Sequence, residues 1–332
     1  MPFRDLSGHL PLRELLARAL ARESLPQSLL FAGPEGVGKR TLALALAQAV
    51  NCEQPVEWPD SSGRDACGRC TACRRIARGV HADVLIVEPG DSGSIKIEQV
   101  RDAIDRASYR PFEGRRRLVI VDEADALMPQ AQDALLKTLE EPPPASVFVL
   151  VSATPDTLLS TIRSRCQRLR FAPLPPAEIA DVLMRDHGFS AADAHAAAAA
   201  SDGSLGRALN GSTDEVVEAR ETAARLLAGA ATTTDPRRRL EGAKLLAGGD
   251  REDVARRLRA VLSLLRDLGL LVARADERAL ANADLRPELE SLLGTFDGDR
   301  ALRAFAAVDR ALSALDRNAS PKIVADWVAL NI

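Results

Sequence analysis

Two stretches of this 332-residue chain carry residue types that together do phosphate chemistry. Residues 29–41, LLFAGPEGVGKRT, run from apolar side chains into a glycine-rich turn and a lysine. Gly33, Gly36 and Gly38 leave the turn, with Pro34 and Val37 between them, without bulky Cβ atoms, so successive backbone N–H groups can wrap a phosphate chain. Lys39 would reach the β/γ-phosphates, and the helix that follows points its positive end at them. Residues 118–125, LVIVDEAD, form an apolar strand that delivers Asp122 and Glu123 at its C-terminal end. There an aspartate can hold Mg²⁺ through water and a glutamate can polarise an attacking water. Either motif alone is weak; both in order on predicted strands imply a core built to bind ATP with Mg²⁺.

One residue departs from the pattern. The sequence G-x-x-x-x-G-K-[ST] places a hydroxyl directly after the lysine to ligate Mg²⁺. Here Arg40 stands in that place and the hydroxyl comes one later, at Thr41. One residue along a helix is a rotation of about 100°, which carries Thr41 away from the metal position. Two readings of the loop stay open: it binds nucleotide weakly, or it now only packs.

A third cluster is metal-like. Cys67-x₂-Cys70-x₂-Cys73 brings three thiolates together, with Cys52 upstream at the end of the helix that follows the lysine. Four thiolates satisfy the tetrahedral preference of a structural Zn²⁺ and leave no open position for catalysis. An iron–sulfur cluster and unliganded loop cysteines are the competing readings. The fifth cysteine, Cys166, abuts a strand and reads as a small buried hydrophobe.

The elements that must position these groups alternate in type. Strands are predicted at 28–32, 83–88, 118–121, 147–152 and 167–171. Helices are predicted at 12–21, 40–50, 97–108, 129–139 and 156–163, the helix at 129–139 ending before Pro142-Pro143-Pro144. Such alternation implies an α/β fold, a parallel five-stranded sheet covered on both faces. Pro173-Leu174-Pro175-Pro176 marks a boundary, after which everything reads as helix. Aromatic content is only 3%, and the Ala/Leu/Arg richness favours helices. A net charge of −3 argues against a protein that coats nucleic acid by itself. With no apolar run of about 18 residues and no signal-like start, no membrane role and a cytoplasmic location are expected.

Several of these features occur together in one family. The glycine-rich loop, the cysteine module directly after its helix, VDEAD, the run ALLKTLEEPP at 134–143 and Ser164-Arg165-Cys166 together resemble bacterial DNA polymerase III clamp-loader subunits. These are AAA+ proteins related to replication factor C. Asn318-Ala319-Ser320-Pro321 is similar to the family's closing helix. The resemblance implies an AAA+ P-loop core with a zinc module at 52–73 (residues 1–173), a small helical lid (174–211) and an all-α oligomerisation collar (212–332).

Within the family, three features side with the delta-prime type over the gamma/tau motor: Arg40 in the loop, the stretch PDTLLSTIRSRC at 155–166, and glycine in GSLGRAL at 203–209 where gamma/tau carries its sensor-2 arginine. Against it stand the intact Lys39 and VDEAD. The resemblance makes Arg165 a finger reaching a neighbouring subunit's γ-phosphate and puts sensor-1 near Ser152-Ala153 or Thr154. It implies gamma/tau and delta subunits, the sliding clamp and primer–template DNA as partners, and weak or absent ATP turnover by the chain itself. A gamma/tau-like motor and a purely structural zinc-bearing scaffold are the alternative functions. Arg115-Arg116-Arg117 reads either as phosphate contacts or as a solvated basic turn.

Overall fold

The computed structural model describes residues 1–58, 63–209, 213–233, 235–275, 280–317 and 319–332. Two compact units divide between Leu174 and Pro175.

The first unit is organised by five strands, four of them short apolar runs and the last, QRLR, a largely exposed edge strand. They are β1 (Ser28–Ala32), β4 (Val84–Val87), β5 (Arg117–Val121), β6 (Ser146–Ser152) and β7 (Gln167–Arg170). A two-residue hairpin, β2 (Val56–Glu57) with β3 (Arg64–Asp65), lies between the first two. The five strands pair in parallel in the order β4-β5-β6-β1-β7, so β1 sits between β6 and β7. Every residue of β1, β5 and β6 is buried, as a sheet covered on both faces requires.

Helices α1 (Leu10–Ala21), α2 (Lys39–Asn51) and α3 (Thr71–Ala77) cover one face; α4 (Ile97–Ser108), α5 (Pro129–Glu140) and α6 (Ser160–Arg165) cover the other. Alternate residues of β1 serve the two cores, Leu29 and Phe31 in one, Leu30 and Ala32 in the other. The expected strands and long helices are all present within one or two residues. The helix expected at 156–163 is displaced: Pro155–Thr157 is a 3-10 turn and the α-helix runs Ser160–Arg165.

The second unit is all helix: α7 (Pro176–His187), α8 (Ala191–Ala200), α9 (Leu205–Leu209), α10 (Thr213–Thr232), α11 (Pro236–Leu246), α12 (Arg251–Val272), α13 (Arg286–Leu292), α14 (Gly298–Asp316) and α15 (Pro321–Asn331). Leu258, Val261 and Leu265 of α12 recur at helical spacing and are buried against α10, α14 and α15. The lid–collar border expected at 211/212, Thr234 of the expected inter-helix loop and Asn318 lie outside the described residues. Among the described residues no helix is long and apolar enough to cross a membrane.

One carboxylate ties down the entry to β5. Asp83 is fully buried and accepts from the backbone N–H groups of Phe112 (2.7 Å), Glu113 (2.9 Å) and Gly114 (2.8 Å). The Arg117 guanidinium donates to it at 2.9 Å. Burial alone would push the Asp83 carboxyl up; these donors outweigh it and hold the group down at about 2. A depressed folded value means stability that is present above the unfolded carboxylate value of about 4 and is lost as pH falls towards about 2. Asp83→Ala strips the partner from a buried guanidinium, and a cost of about 3–5 kcal/mol is expected at neutral pH. Urea unfolding at neutral pH and at about pH 3 checks this, the gap between wild type and variant narrowing at the lower pH.

Candidate nucleotide-loop site and cysteine centre

The glycine-rich turn leaves β1 at the carboxyl edge of the sheet, where open α/β folds bind their ligands. Gly36 and Gly38 have φ of +72° and +99°, a region costly for residues with a Cβ. Gly33 is required for a different reason, since a Cβ there would lie 2.3 Å from the Phe171 carbonyl oxygen. The loop is anchored from outside by His9, whose Nε2 lies 2.8 Å from the Val37 carbonyl and whose ring packs edge-on against Phe171 at 4.9 Å. Lys39 opens α2 and is buried; its Nζ donates to the carbonyls of Gly33 (2.6 Å) and Pro34 (2.5 Å). Thr41 is exposed one residue beyond Arg40.

Arg40 bridges two strand ends. Its guanidinium donates to Asp122 at 2.8 Å and also pairs with Glu88, which follows β4 as Asp122 follows β5. This sets a fixed cation against the carboxylate expected to hold Mg²⁺. Glu123 follows in a left-handed conformation (φ +47°). Partial desolvation lifts its carboxyl above the ordinary range, Asp122, Glu35 and Glu88 adding to the lift and Arg40 opposing it.

A second carboxylate shapes the neighbouring strand end. Asp125 accepts from the Ser152 hydroxyl (2.5 Å), the Ala153 N–H (2.6 Å) and the Thr154 N–H (3.2 Å). All three candidate sensor-1 residues are therefore gathered by one side chain. The chain then passes through the 3-10 turn to Leu159, whose N–H donates to the Gln132 side chain at 2.8 Å and fixes where α6 begins. At the other end of α6 lies Arg165, half-buried rather than fully exposed. Its Nε and Nη2 both donate to one Glu140 oxygen, at 3.0 and 2.8 Å, and Nη1 donates to the Thr161 carbonyl at 3.1 Å. Glu140 closes α5 and belongs to the ALLKTLEEPP run. Arg165 thus stands apart from the chain's own loop, Arg40 and Asp122.

Cys52, Cys67, Cys70 and Cys73 are all buried, and their sulfurs lie within 4.8 Å of one another. Cys52 and Cys70 are 3.9 Å apart, far beyond a disulfide and close to the edge of about 3.8 Å that bonds of about 2.3 Å give a tetrahedral Zn²⁺ site. The N–H groups of Cys67 and Cys70 donate to the sulfurs of Cys52 (3.2 Å) and Cys67 (3.3 Å), support suited to thiolates. Burial pushes the Cys52 and Cys73 thiols up and works against the Cys67 thiolate too, yet the Arg69 and Cys70 N–H groups bring Cys67 down to about 7. Burial pushes the Cys166 thiol up to about 12, in keeping with a packed, unreactive side chain.

His9, Glu88 and Gln132 have no role in the sequence analysis, and Asp125 and Glu140 enter it only as members of the runs LVIVDEAD and ALLKTLEEPP. Glu88 carries the same signal as Asp122, an acidic residue directly after an apolar run.

Residues 9–175, half of the chain, match the sequence profile of the family described as "DNA polymerase III, delta subunit". The DNA polymerase III subunit delta-prime of Bacillus subtilis is 37% identical over 171 residues, 52% of this chain and 50% of that protein. The subunit tau of the same organism is 36% identical over 170 residues, 51% of this chain and 29% of that protein. The chain therefore spans half or less of the length of these curated relatives. Among solved structures, a DNA polymerase III gamma subunit-related protein of Thermotoga maritima aligns over 95% of this chain and 96% of its own at 18% identity and a TM-score of 0.42. The chain belongs to the DNA polymerase III delta-subunit family, the bacterial AAA+ clamp-loader subunits.

Proposed function

We propose that this chain is a delta-prime-type subunit that assists ATP-dependent loading of the sliding clamp without running an ATP cycle of its own. It closes one end of a ring with gamma/tau and delta subunits, and it lends Arg165 to the nucleotide of a neighbouring gamma/tau subunit while the ring acts at primer–template DNA in the cytoplasm. In this reading residues 1–173 are the AAA+ core, 174–211 the lid and 212–332 the collar through which the ring assembles.

The observation that carries the reading is Arg40. It replaces the Mg²⁺-ligating hydroxyl and ties up Asp122 and Glu88 with its own guanidinium. A motor reading draws on the intact Lys39, Asp122 and Glu123, but it requires Arg40 to release both carboxylates and a hydroxyl that the position lacks. Arg165 suits work in trans because its planar fork and permanent charge match a γ-phosphate. Its pair with Glu140 is held at side-chain exposures of 32% and 59%, so breaking it costs no more than about 1 kcal/mol. That is small against the several orders of magnitude in rate that a trans arginine supplies. Four buried thiols with the spacing described fit a structural Zn²⁺ held by Cys52, Cys67, Cys70 and Cys73, which would fix the β2–β3 hairpin and α3 against α2.

The isolated chain is expected to show no ATP turnover above background in a phosphate-release assay, and Arg40→Ser to gain Mg²⁺-dependent nucleotide affinity by equilibrium dialysis. Robust turnover by the unmodified chain, abolished by Glu123→Gln, would make it a motor. Arg165→Ala should assemble a complete ring of unchanged melting temperature whose DNA- and clamp-stimulated ATP hydrolysis falls by roughly a thousandfold at the site it serves. Arg165→Lys should recover only part of that loss. A ring carrying Arg165→Ala that hydrolyses ATP at the unmodified rate would leave this chain a scaffold. Elemental analysis should find one zinc per chain, and Cys70→Ser should lose it along with several degrees of melting temperature.

A further inference from the structure

The basic triplet that leads into β5 is not accounted for by the nucleotide loop or the finger. Its three arginines part company: Arg117 turns inward onto Asp83, whereas Arg115 and Arg116 line a cavity of about 210 Å³ together with Arg64 of β3. Leu20, Leu25 and Val50 form its apolar floor, contributed by α1, the link into β1, and α2.

Three features mark this as a built site. First, the guanidinium groups of Arg64, Arg115 and Arg116 have no carboxylate partner among the described residues. What sets them apart is their convergence on one cavity, whereas Arg4, Arg18, Arg40, Arg75 and Arg165 of the same unit are each engaged by a carboxylate. Second, the Arg64 Nε is buried with no acceptor among the described residues, so this lining residue carries a donor that the fold itself leaves unmet. Third, the backbone presenting Arg115 and Arg116 is fixed in advance. Both N–H groups donate to the Asn51 side chain, at 2.8 and 3.0 Å, and the preceding residues are strapped to Asp83. A Cβ at residue 114 would lie 2.6 Å from the Asn51 oxygen, so glycine is needed for this close approach. Little ordering is left to be done when a ligand arrives.

We propose that this cavity docks an acidic peptide segment of a partner protein, one aliphatic side chain entering the floor while flanking carboxylates pair with Arg64, Arg115 and Arg116. The volume is below the roughly 300 Å³ at which small-molecule clefts begin, which suits one side chain better than a cofactor. A nucleic acid strand fits less well. Its phosphates have nothing to bury against Leu20, Leu25 and Val50, and among the described residues no aromatic side chain lines the cavity for a base to stack on. Guanidinium forks match carboxylates two bonds at a time, and this gives such a rim its selectivity. Among the described residues the lining includes one carboxylate, Glu23, which forms no ion pair with the three arginines and opposes an acidic ligand.

Fluorescence anisotropy on the full chain tests this with a fluorescein-labelled decapeptide bearing four aspartates around a central leucine. Binding is expected to weaken at least about tenfold when the aspartates become asparagines or the leucine becomes serine. The double variant Arg115→Ala/Arg116→Ala should weaken it as much, with the melting temperature unchanged because neither side chain is buried. Glu23→Gln should move the other way and tighten binding about two- to fivefold, a change that a merely structural role for these residues does not produce. The proposal is overturned by the absence of peptide binding, or by an affinity indifferent to these variants. It is equally overturned by a labelled oligothymidylate that binds as tightly and competes for the same arginines, since the cavity would then read phosphate.

Discussion

Burial of β1 between two parallel neighbours is the constraint from which the chemistry of this unit follows. A strand flanked on both sides by parallel partners has its carbonyl end on the same edge as theirs. Every residue that leaves that edge is brought within reach of the loop after β1: Glu88 after β4, Asp122 and Glu123 after β5, Ser152 closing β6, and Phe171 after β7. The contacts that result tie these strand ends to one another. Phe171 makes glycine obligatory at position 33, and Asp125 gathers the exit from β6, so the site is an outcome of strand order.

That edge accumulates negative charge, with Glu35, Glu88, Asp122 and Glu123 around the loop. Such a cluster calls for a cation, and a chain can meet the need in two ways. Mg²⁺ demands near-octahedral oxygen ligands at about 2.1 Å and a hydroxyl placed to complete them. A guanidinium demands only carboxylates in reach of its fork. Arg40 supplies the second solution from within the chain, at side-chain exposures of 47% for itself, 11% for Asp122 and 46% for Glu88. The Arg40–Glu88 pair is largely solvated and adds little to stability, whereas Asp122 is mostly buried; the consequence of both contacts is that the carboxylates are already engaged.

Much of this was legible beforehand, and the remainder shows what kind of information a sequence holds. Strands over fully apolar runs such as LVIV and VFVLV declare themselves, since nothing but a buried sheet accommodates them. Arg40 was legible as a departure from a spacing rule, whereas its two partners were not, because Glu88 and Asp122 lie 48 and 82 residues away and meet it only once the strands are ordered. The start of α6 was misread for the same reason. Two side chains distant in sequence, Asp125 and Gln132, hold the preceding turn and the Leu159 N–H, so the helix begins at Ser160 and not at Asp156. The β2–β3 hairpin has no apolar alternation to read; its strands of two residues sit between Cys52 and Cys67, and Asp65 of β3 is held by the Phe3 and Arg4 N–H groups from the start of the chain.

The persistence of Lys39 beside Arg40 has a physical reason independent of turnover. Its Nζ satisfies two loop carbonyls, of Gly33 and Pro34, while its stem is packed with only 6% of the residue exposed. Removing it would leave those carbonyls without their charged donor and open a gap where β1 meets α2, a loss of the kind that costs about 1–3 kcal/mol per orphaned group. Arg40, by contrast, sits at the rim, where exchange of a small hydroxyl for a long side chain meets no packing constraint. Folding therefore protects the lysine and the glycines around it even when chemistry does not. The position after the lysine has no such protection, since a side chain there can change without a packing cost. An intact lysine in such a loop is evidence for the fold, and the residue after it is the better indicator of whether the site turns over.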